Sequence, residues 1–436
     1  MTDTVRAFRA SIVHCVADPG EGDPGDAVEH LPDGLLVVED GRVRALGPAE
    51  ALLPSLGPDV AVTDYRGRLL VPGFIDCHVH YPQLGIVASW GDQLLEWLEH
   101  YTYPAERRFA ERAVADRAAA EFLDLMLAAG TTSALVFPTV HTASVEAVFA
   151  AAESRGLRLA AGKVLMDTNC PADLQDTPES GYRESRELLE RWHGHERLGY
   201  AITPRFALTS SARQLELAGR LAEEFPDVHI HTHLAENRRE VERVAERFPE
   251  AATYLDVYRA TGLLRERAVF AHCLHLVEAD YRHMAECGGA MAFCPTSNLF
   301  MGSGLFDLAR AREHGIGVGL GTDVGAGTTL NLPATAGEAY KVLQLRGQPL
   351  SPWQALYLMT LGAARALGWE DAVGNFESGR EADFAVLDTA ATPLQRRRAA
   401  ETASLADDLF ALTILGDERT VVATHILGEP AWRRPD

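Results

Sequence analysis

The sequence predicts an α/β protein: a (β/α)8 TIM-type barrel with a small β-sandwich domain formed from both chain ends. Short apolar runs alternate with amphipathic stretches through the middle of the chain, while both ends contain short strand-like segments separated by turn residues. Such alternation is typical of parallel β/α units. We therefore expect a composite β domain at 1–68 plus 372–436, and a barrel domain at 69–371.

Eight candidate strands support the barrel, since eight is the number that closes this fold. Each is a short apolar run of the kind found in buried parallel strands. They lie at residues 70–77, 131–137, 157–166, 200–206, 228–234, 268–274, 289–295 and 316–322.

The chain ends predict β structure through their turn residues. Asp40 and Gly41 separate two strand-like runs, 34–39 and 42–46, and an Asp-Gly pair in this setting indicates a hairpin. Runs at 382–387 and 421–426 resemble them in composition. The two ends are therefore expected to pair into one domain.

Composition excludes several classes of protein. The 436 residues include 47% hydrophobic and 23% charged residues, as in an ordinary globular protein, and the formal net charge is −22. Nucleic acids and anionic membranes require clustered basic residues, so neither is an expected partner. The six dispersed cysteines indicate no disulfide framework. With no secretory signal and no long apolar run, we expect a cytoplasmic protein.

The first barrel strand ends in His78-Val-His80, and side chains two positions apart lie on the same face of a strand. Two adjacent imidazoles form half of a zinc site. The pattern is weak by itself, because two solvated or hydrogen-bonded histidines would have the same spacing.

The fifth strand places His229, His231 and His233 on one face, with Glu236 just beyond the strand. Barrel active sites lie at the carboxyl ends of strands, so His233 is the candidate ligand and the two deeper histidines are expected to be core residues. Glu236 is a candidate acid/base residue, or alternatively a surface or helix-capping carboxylate.

The sixth and eighth strands add two candidates. His272 ends the sixth strand, whereas His275 is expected in the following loop. Asp323 ends the eighth, although an isolated Asp at this position is also compatible with a helix N-cap. Polar residues at the ends of strands one, five, six and eight together indicate a catalytic site.

This combination resembles the metal-dependent amidohydrolase superfamily over essentially the whole chain. The resemblance implies that His78, His80, His233 and Asp323 bind one Zn²⁺, or iron, with His272 near the attacking water. Asp323 and Glu236 would then transfer protons. Lys163 lies on the third predicted strand rather than the fourth, where two-metal members carry a carboxylated lysine, so it is interpreted as structural.

Longer motifs narrow the resemblance to the guanine deaminase family. They are HVHYPQ at 78–83, LLEWLEHYTYPAE at 94–106, PRFALT at 204–209, CPTSNL at 294–299 and GTDVGAG at 321–327. The resemblance implies hydrolysis of guanine to xanthine and ammonia, a homodimer, and purine contacts from Gln83, Trp97, Arg205 and Phe206. An Arg fork suits the O6/N7 edge of guanine, and aromatic rings suit its plane.

Other interpretations remain open from sequence alone. The chain could be a deaminase or chlorohydrolase of the same superfamily acting on another aminated heterocycle. It could also be a non-enzymatic scaffold relative or a zinc-storage protein. Trp97 and Phe206 would then be ordinary core aromatics, and Arg205 a salt-bridged residue at the barrel rim.

Overall fold

The computed structural model of the chain describes residues 5–91 and 93–435. Its strands in chain order are β1 (Val5–Cys15), β2 (Val28–Glu39), β3 (Arg42–Pro48), β4 (Ala61–Pro72), β5 (Phe74–His80), β6 (Thr131–Phe137), β7 (Arg158–Ala161), β8 (Val164–Leu165), β9 (Leu198–Pro204), β10 (His229–Leu234), β11 (Ala268–His272), β12 (Ala290–Phe293), β13 (Gly317–Leu320), β14 (Phe384–Leu387), β15 (Val421–Ile426) and β16 (Glu429–Arg433).

The α-helices connect successive barrel strands or pack around them. In chain order they are α1 (Ala49–Leu52), α2 (Leu94–Trp97), α3 (Tyr103–Glu106), α4 (Arg112–Ala128), α5 (Thr142–Glu153), α6 (Pro178–Trp192), α7 (Ala212–Glu224), α8 (Arg238–Arg247), α9 (Tyr254–Ala260), α10 (Glu278–Cys287), α11 (Pro295–Phe300), α12 (Leu308–Glu313), α13 (Leu332–Leu345), α14 (Pro352–Met359), α15 (Leu361–Ala366), α16 (Pro393–Ala399) and α17 (Leu405–Leu415).

The barrel predicted from the alternating pattern is confirmed. Parallel strands follow one another in the order β5, β6, β7, β9, β10, β11, β12 and β13, and β8 extends the third position by pairing with β9. The ring is joined at its carboxyl end, where the Asp323 amide donates to the His78 carbonyl (2.8 Å) and the His80 amide donates to the Val324 carbonyl (2.8 Å). The first and last strands are therefore neighbours.

Two strand predictions differ from the structure. The third predicted strand is divided into β7 and β8, because a Cβ at Gly162 would lie 1.7 Å from the Ala201 carbonyl oxygen, and the backbone passes too close for regular pairing. The first begins at Phe74, since residues 70–72 belong to β4 and pair with β14. A continuous apolar run does not show where one sheet ends and the next begins.

Both chain ends build one sheet, as predicted. Its seven strands follow the order β16, β15, β14, β4, β1, β2 and β3. The β2–β3 hairpin turns at Asp40 and Gly41, with φ values of 49° and 79°. The strands thus form one continuous sheet, separate from the sheet of the barrel. Helix α17 near the carboxyl end packs on α13 and α14 of the barrel, and the exact division of the chain into domains stays a prediction.

The core fills the barrel with small apolar side chains. Ile75, Leu135, Ala160, Val269 and Ala292 belong to one buried cluster inside the ring of strands. The six cysteines are free, and four of them are buried. Within the described residues, no helix has the length and apolar character needed to cross a membrane.

A buried ion cluster fixes the amino end of the barrel to the terminal sheet. Glu381, just before β14, accepts from Arg158 (2.6 Å) and Arg197 (2.7 Å), and Arg197 also bonds Asp383. Because these groups are largely removed from water, deleting one charge leaves its partners uncompensated.

We predict that Glu381→Ala lowers the free energy of unfolding by about 3 to 5 kcal/mol. The matched control is Glu401→Ala, which breaks the exposed Arg397–Glu401 pair of 2.6 Å and should cost less than about 1 kcal/mol. Urea denaturation monitored by circular dichroism measures both. Equal losses in the two variants would contradict the importance of this cluster.

Candidate active site

Four ligand-type side chains meet at the carboxyl rim of the barrel. His78 is on β5, His233 on β10, His272 ends β11, and Asp323 follows β13. One ligand atom from each lies within 4.8 Å of those of the other three. The structure therefore brings together residues from four separate strands, as the sequence predicted for a catalytic site.

His80 adds a fifth donor to this cluster. Its Nε2 lies 3.2 Å from both His78 Nε2 and His233 Nε2, and 3.4 Å from Asp323 Oδ1. The sequence-derived ligand set contains His80 and excludes His272, whereas the four-residue cluster contains His272. Five donors thus surround one position, whereas structural and catalytic zinc sites use three or four protein ligands.

The chemistry of these donors fits a divalent cation. Burial lowers the pKa of His80 and His233 well below the ordinary histidine value, so both rings are neutral. His233 Nδ1 lies 2.7 Å from the Arg205 carbonyl, which only accepts, so the ring proton is on Nδ1 and Nε2 presents a lone pair. Neutral nitrogens converging beside a carboxylate are the ligands that Zn²⁺ prefers.

The remaining histidines on β10 lie below the rim. His231 Nε2 is 2.7 Å from His78 Nδ1 and so orients the His78 ring. His229 Nε2 is 2.7 Å from the Leu367 carbonyl. Both are buried core residues with identified partners.

Two other residues considered from sequence lie outside the cluster. His275 is in the loop after β11, with its Nε2 2.9 Å from the Ser303 carbonyl. Lys163 is fully buried, and its ammonium donates to both Asp176 oxygens (2.6 and 2.7 Å). Lys163 thus forms a structural ion pair.

Glu236 lies beside the cluster in a position suited to proton transfer. Its Oε2 is 3.4 Å from His272 Nε2, and its Oε1 accepts from the Ser303 hydroxyl (3.2 Å). Burial, followed by the nearby Asp323 and Glu240 carboxylates, raises the pKa of Glu236 well above the ordinary value. The side chain is therefore held in a form that can donate a proton.

Strained backbone occurs at the same rim. Ala235, His272 and Asp323 have φ values of 49°, 73° and 50°. Residues other than glycine rarely adopt this left-handed region, and such outliers cluster at functional sites, where the surrounding fold maintains them.

A cavity lies directly over the cluster. Glu236 lines this cavity, and so do all four residues that were predicted to contact the purine: Gln83, Trp97, Arg205 and Phe206. The cavity combines aromatic surfaces with a few polar groups, as small-molecule sites do.

Glu106 is a functional candidate that the sequence did not single out. It is fully buried and accepts from Arg205 Nη1 (2.9 and 3.0 Å) and from Gln83 Nε2 (3.0 Å). One carboxylate therefore orients two of the four predicted base-contacting side chains. Glu106 belongs to the LLEWLEHYTYPAE motif, but only the fold brings it to Arg205.

Glu240 was also missed, and it supports Glu236. Its Oε2 accepts from the backbone amides of Glu236 (2.9 Å) and Asn237 (3.0 Å), and its Oε1 accepts from the Tyr254 hydroxyl (2.7 Å). The spacing from Asn237 to Glu240 is that of a capping box at the start of α8, which is the pattern that would have revealed it.

Comparison with known proteins agrees with this geometry. The Amidohydrolase family model matches residues 69–430. Guanine deaminase of Escherichia coli K12 is 48% identical, with 99% of this chain and 98% of that protein covered. The chain belongs to the guanine deaminase branch of the amidohydrolase family.

Other relatives of this branch extend the agreement. A probable guanine deaminase of Deinococcus radiodurans is 42% identical, with 97% of this chain and 95% of that protein covered. The solved E. coli guanine deaminase structure superposes with a TM-score of 0.97 at 47% identity, covering 99% and 100% of the two chains. The amidohydrolase resemblance inferred from the motifs is confirmed, and the chain belongs to a family of enzymes.

For this amidohydrolase site we predict that His233→Ala abolishes tight binding of one divalent cation per chain, because a central nitrogen donor is lost. His229→Gln on the same strand is the matched control and should retain the cation. Inductively coupled plasma mass spectrometry of dialysed protein measures the metal content. Metal retained by His233→Ala, or lost only from the control, would place the binding site elsewhere.

Proposed function

We propose that this chain catalyses the hydrolytic, zinc-dependent deamination of guanine to xanthine and ammonia. The observation that supports it most is one cavity lined by three kinds of group: convergent metal-type donors, a proton-donating carboxyl, and the Arg205 and Gln83 side chains, which Glu106 holds in place. Relatives named guanine deaminases match nearly the whole chain.

We assign His78, His80, His233 and Asp323 as the residues that would hold the cation. Bound Zn²⁺ would supply the Lewis acidity that makes water a nucleophile at neutral pH. Three nitrogens and one carboxylate oxygen suit zinc, and iron remains an alternative occupant because imidazole also binds it well.

Substrate recognition is assigned to the cavity walls. Glu106 fixes the Arg205 guanidinium through Nη1. The other terminal nitrogen, Nη2, is not part of that ion pair and can donate to the O6/N7 edge of a purine. Gln83 is held by the same carboxylate. Trp97 and Phe206 supply the aromatic surfaces that would cover the base.

The proton transfers follow from the acidic residues. Asp323 accepts the proton of the attacking water, and Glu236 donates to the ring nitrogen beside C2, which makes that carbon electrophilic. The new C2–O bond forms, the proton held by Asp323 reaches the exocyclic amine through Glu236, and the C2–N bond breaks to release ammonia. The hydroxyl proton left at C2 returns to Glu236, which restores the acid and leaves the C2 carbonyl of xanthine. His272 donates a hydrogen bond to the oxygen that becomes negative at C2.

The assay that tests this function follows ammonia release from guanine, adenine, adenosine, cytosine and an aminated triazine, with and without a chelator. We expect chelator-sensitive conversion of guanine to xanthine, restored by Zn²⁺. Turnover of another compound alone would keep the fold and the metal site but assign a different heterocycle to the cavity. Absence of turnover on the whole panel would favour the scaffold hypothesis.

Glu236→Gln is the variant that links this activity to the assigned acid. It should retain one zinc per chain and lose about 100-fold or more of kcat, because the amide cannot transfer the proton. Full activity would remove Glu236 from the mechanism.

We predict that Glu106→Gln raises the KM for guanine about tenfold or more, which corresponds to about 1.4 kcal/mol, because Arg205 and Gln83 lose their common anchor. The change in kcat should be smaller, since Glu106 does not contact the metal donors. Steady-state kinetics separate the two constants. Glu99→Gln, an exposed position on the adjacent turn, is the control and should leave both unchanged.

We also propose that the protein is cytoplasmic and forms a homodimer, on the basis of family resemblance. Light scattering of the purified protein tests the dimer by measuring its molar mass. The division into a composite domain at 1–68 plus 372–436 and a barrel at 69–371 remains part of this proposal.

A further inference from the structure

The tautomer of His272 is determined by a residue outside the cavity lining. Asn298 on α11 is 1% exposed, and its Nδ2 lies 2.9 Å from His272 Nδ1. An amide nitrogen donates and does not accept, so Nδ1 must be the accepting nitrogen. A neutral imidazole has one N–H, which is therefore on Nε2.

The surroundings of Nε2 suit this tautomer. Nε2 faces Glu236 Oε2 at 3.4 Å and Asp323 Oδ2 at 3.8 Å, and the Asp323 carboxylate oxygen is a hydrogen-bond acceptor. It has no hydrogen-bond partner within the part of the chain that the structure describes. An N–H directed into the site is thus placed to donate to a bound molecule.

The orientation of the Asn298 amide follows from the cost of the alternative. Its Oδ1 is buried without a partner among the described residues. Rotating the amide by 180° would place the NH2 group, with two donors, where one acceptor now lies. Buried donors without partners are rarer in proteins than buried acceptors without partners.

We propose that Asn298 is a positioning residue that keeps His272 as the Nε2–H tautomer, so that His272 donates a hydrogen bond into the cavity. A nitrogen that carries a proton has no lone pair for a cation. This deepens the proposed deaminase function, on which the catalytic part of the argument rests.

The same turn of chain supports the proton-donating carboxyl. The Asn298 carbonyl accepts from the Ser303 amide (2.9 Å), and the Ser303 hydroxyl donates to Glu236 (3.2 Å). The segment from α11 to Ser303 therefore orients both His272 and Glu236. Partners that fix a functional histidine in this way act on its tautomer and ring orientation.

The wild-type protein alone tests the tautomer. Nitrogen-15 NMR of zinc-loaded protein labelled at histidine distinguishes a protonated Nε2 from a protonated Nδ1, and His272→Gln identifies the resonance. We expect Nε2–H for His272 and one zinc per chain in His272→Gln. A protonated Nδ1, or loss of zinc from His272→Gln, would overturn the proposal.

Asn298→Asp reverses the interaction, because a carboxylate accepts and would draw the proton to Nδ1. We expect the NMR signature to invert and kcat to fall about 100-fold, the usual loss on removing one such donor, with KM within about threefold. An unchanged tautomer or an unchanged kcat would contradict the assignment.

Leu299→Ala is the matched control, since Leu299 follows on the same helix and is 37% exposed. It should keep both the Nε2–H signature and wild-type kinetics, and an inverted tautomer there would overturn a specific role for Asn298. If the wild-type protein does not turn over guanine, the proposed function fails, while the NMR and zinc measurements still decide the tautomer.

Discussion

The site depends on hydrogen bonds that join the first and last strands of the barrel. The Asp76 carboxylate accepts from the His78 amide (3.1 Å) and from the Thr322 amide (3.0 Å) and hydroxyl (2.5 Å). The Asp323 amide then donates to the His78 carbonyl. Two proposed metal ligands more than 240 positions apart in the chain are thereby placed 3.2 Å apart, between His78 Nε2 and Asp323 Oδ1.

Burial gives the assembled groups their chemical character. It lowers the pKa of the rim histidines, which leaves neutral rings with lone pairs, and it raises the pKa of Glu236, which favours the protonated acid. Buried polar groups require partners, and Glu106, Glu240 and Asn298 provide them. The side chains that would react are thus oriented by side chains that would not.

Much of this arrangement was predictable from sequence, because strand geometry is local. Because side chains alternate along a strand with a period of two, His78 and His80 were expected on one face. The predicted carboxyl ends of other strands identified His233, His272 and Asp323. The roles of Glu106 and Asn298 were not predicted, because their partners Arg205 and His272 lie 99 and 26 residues away in the chain. No local sequence pattern encodes such pairs. The interruption at Gly162 and the passage of residues 70–72 into the terminal sheet likewise depend on tertiary contacts.

The most direct test of these ligand and substrate assignments is a crystal structure of the zinc-loaded Glu236→Gln protein with guanine, using anomalous scattering at the zinc edge. We expect one ion about 2.0 to 2.2 Å from nitrogens of His78, His80 and His233 and from an Asp323 oxygen, with Arg205 on the purine edge. An ion bound through His272 Nε2 in place of His80, or a purine away from Arg205, would contradict them.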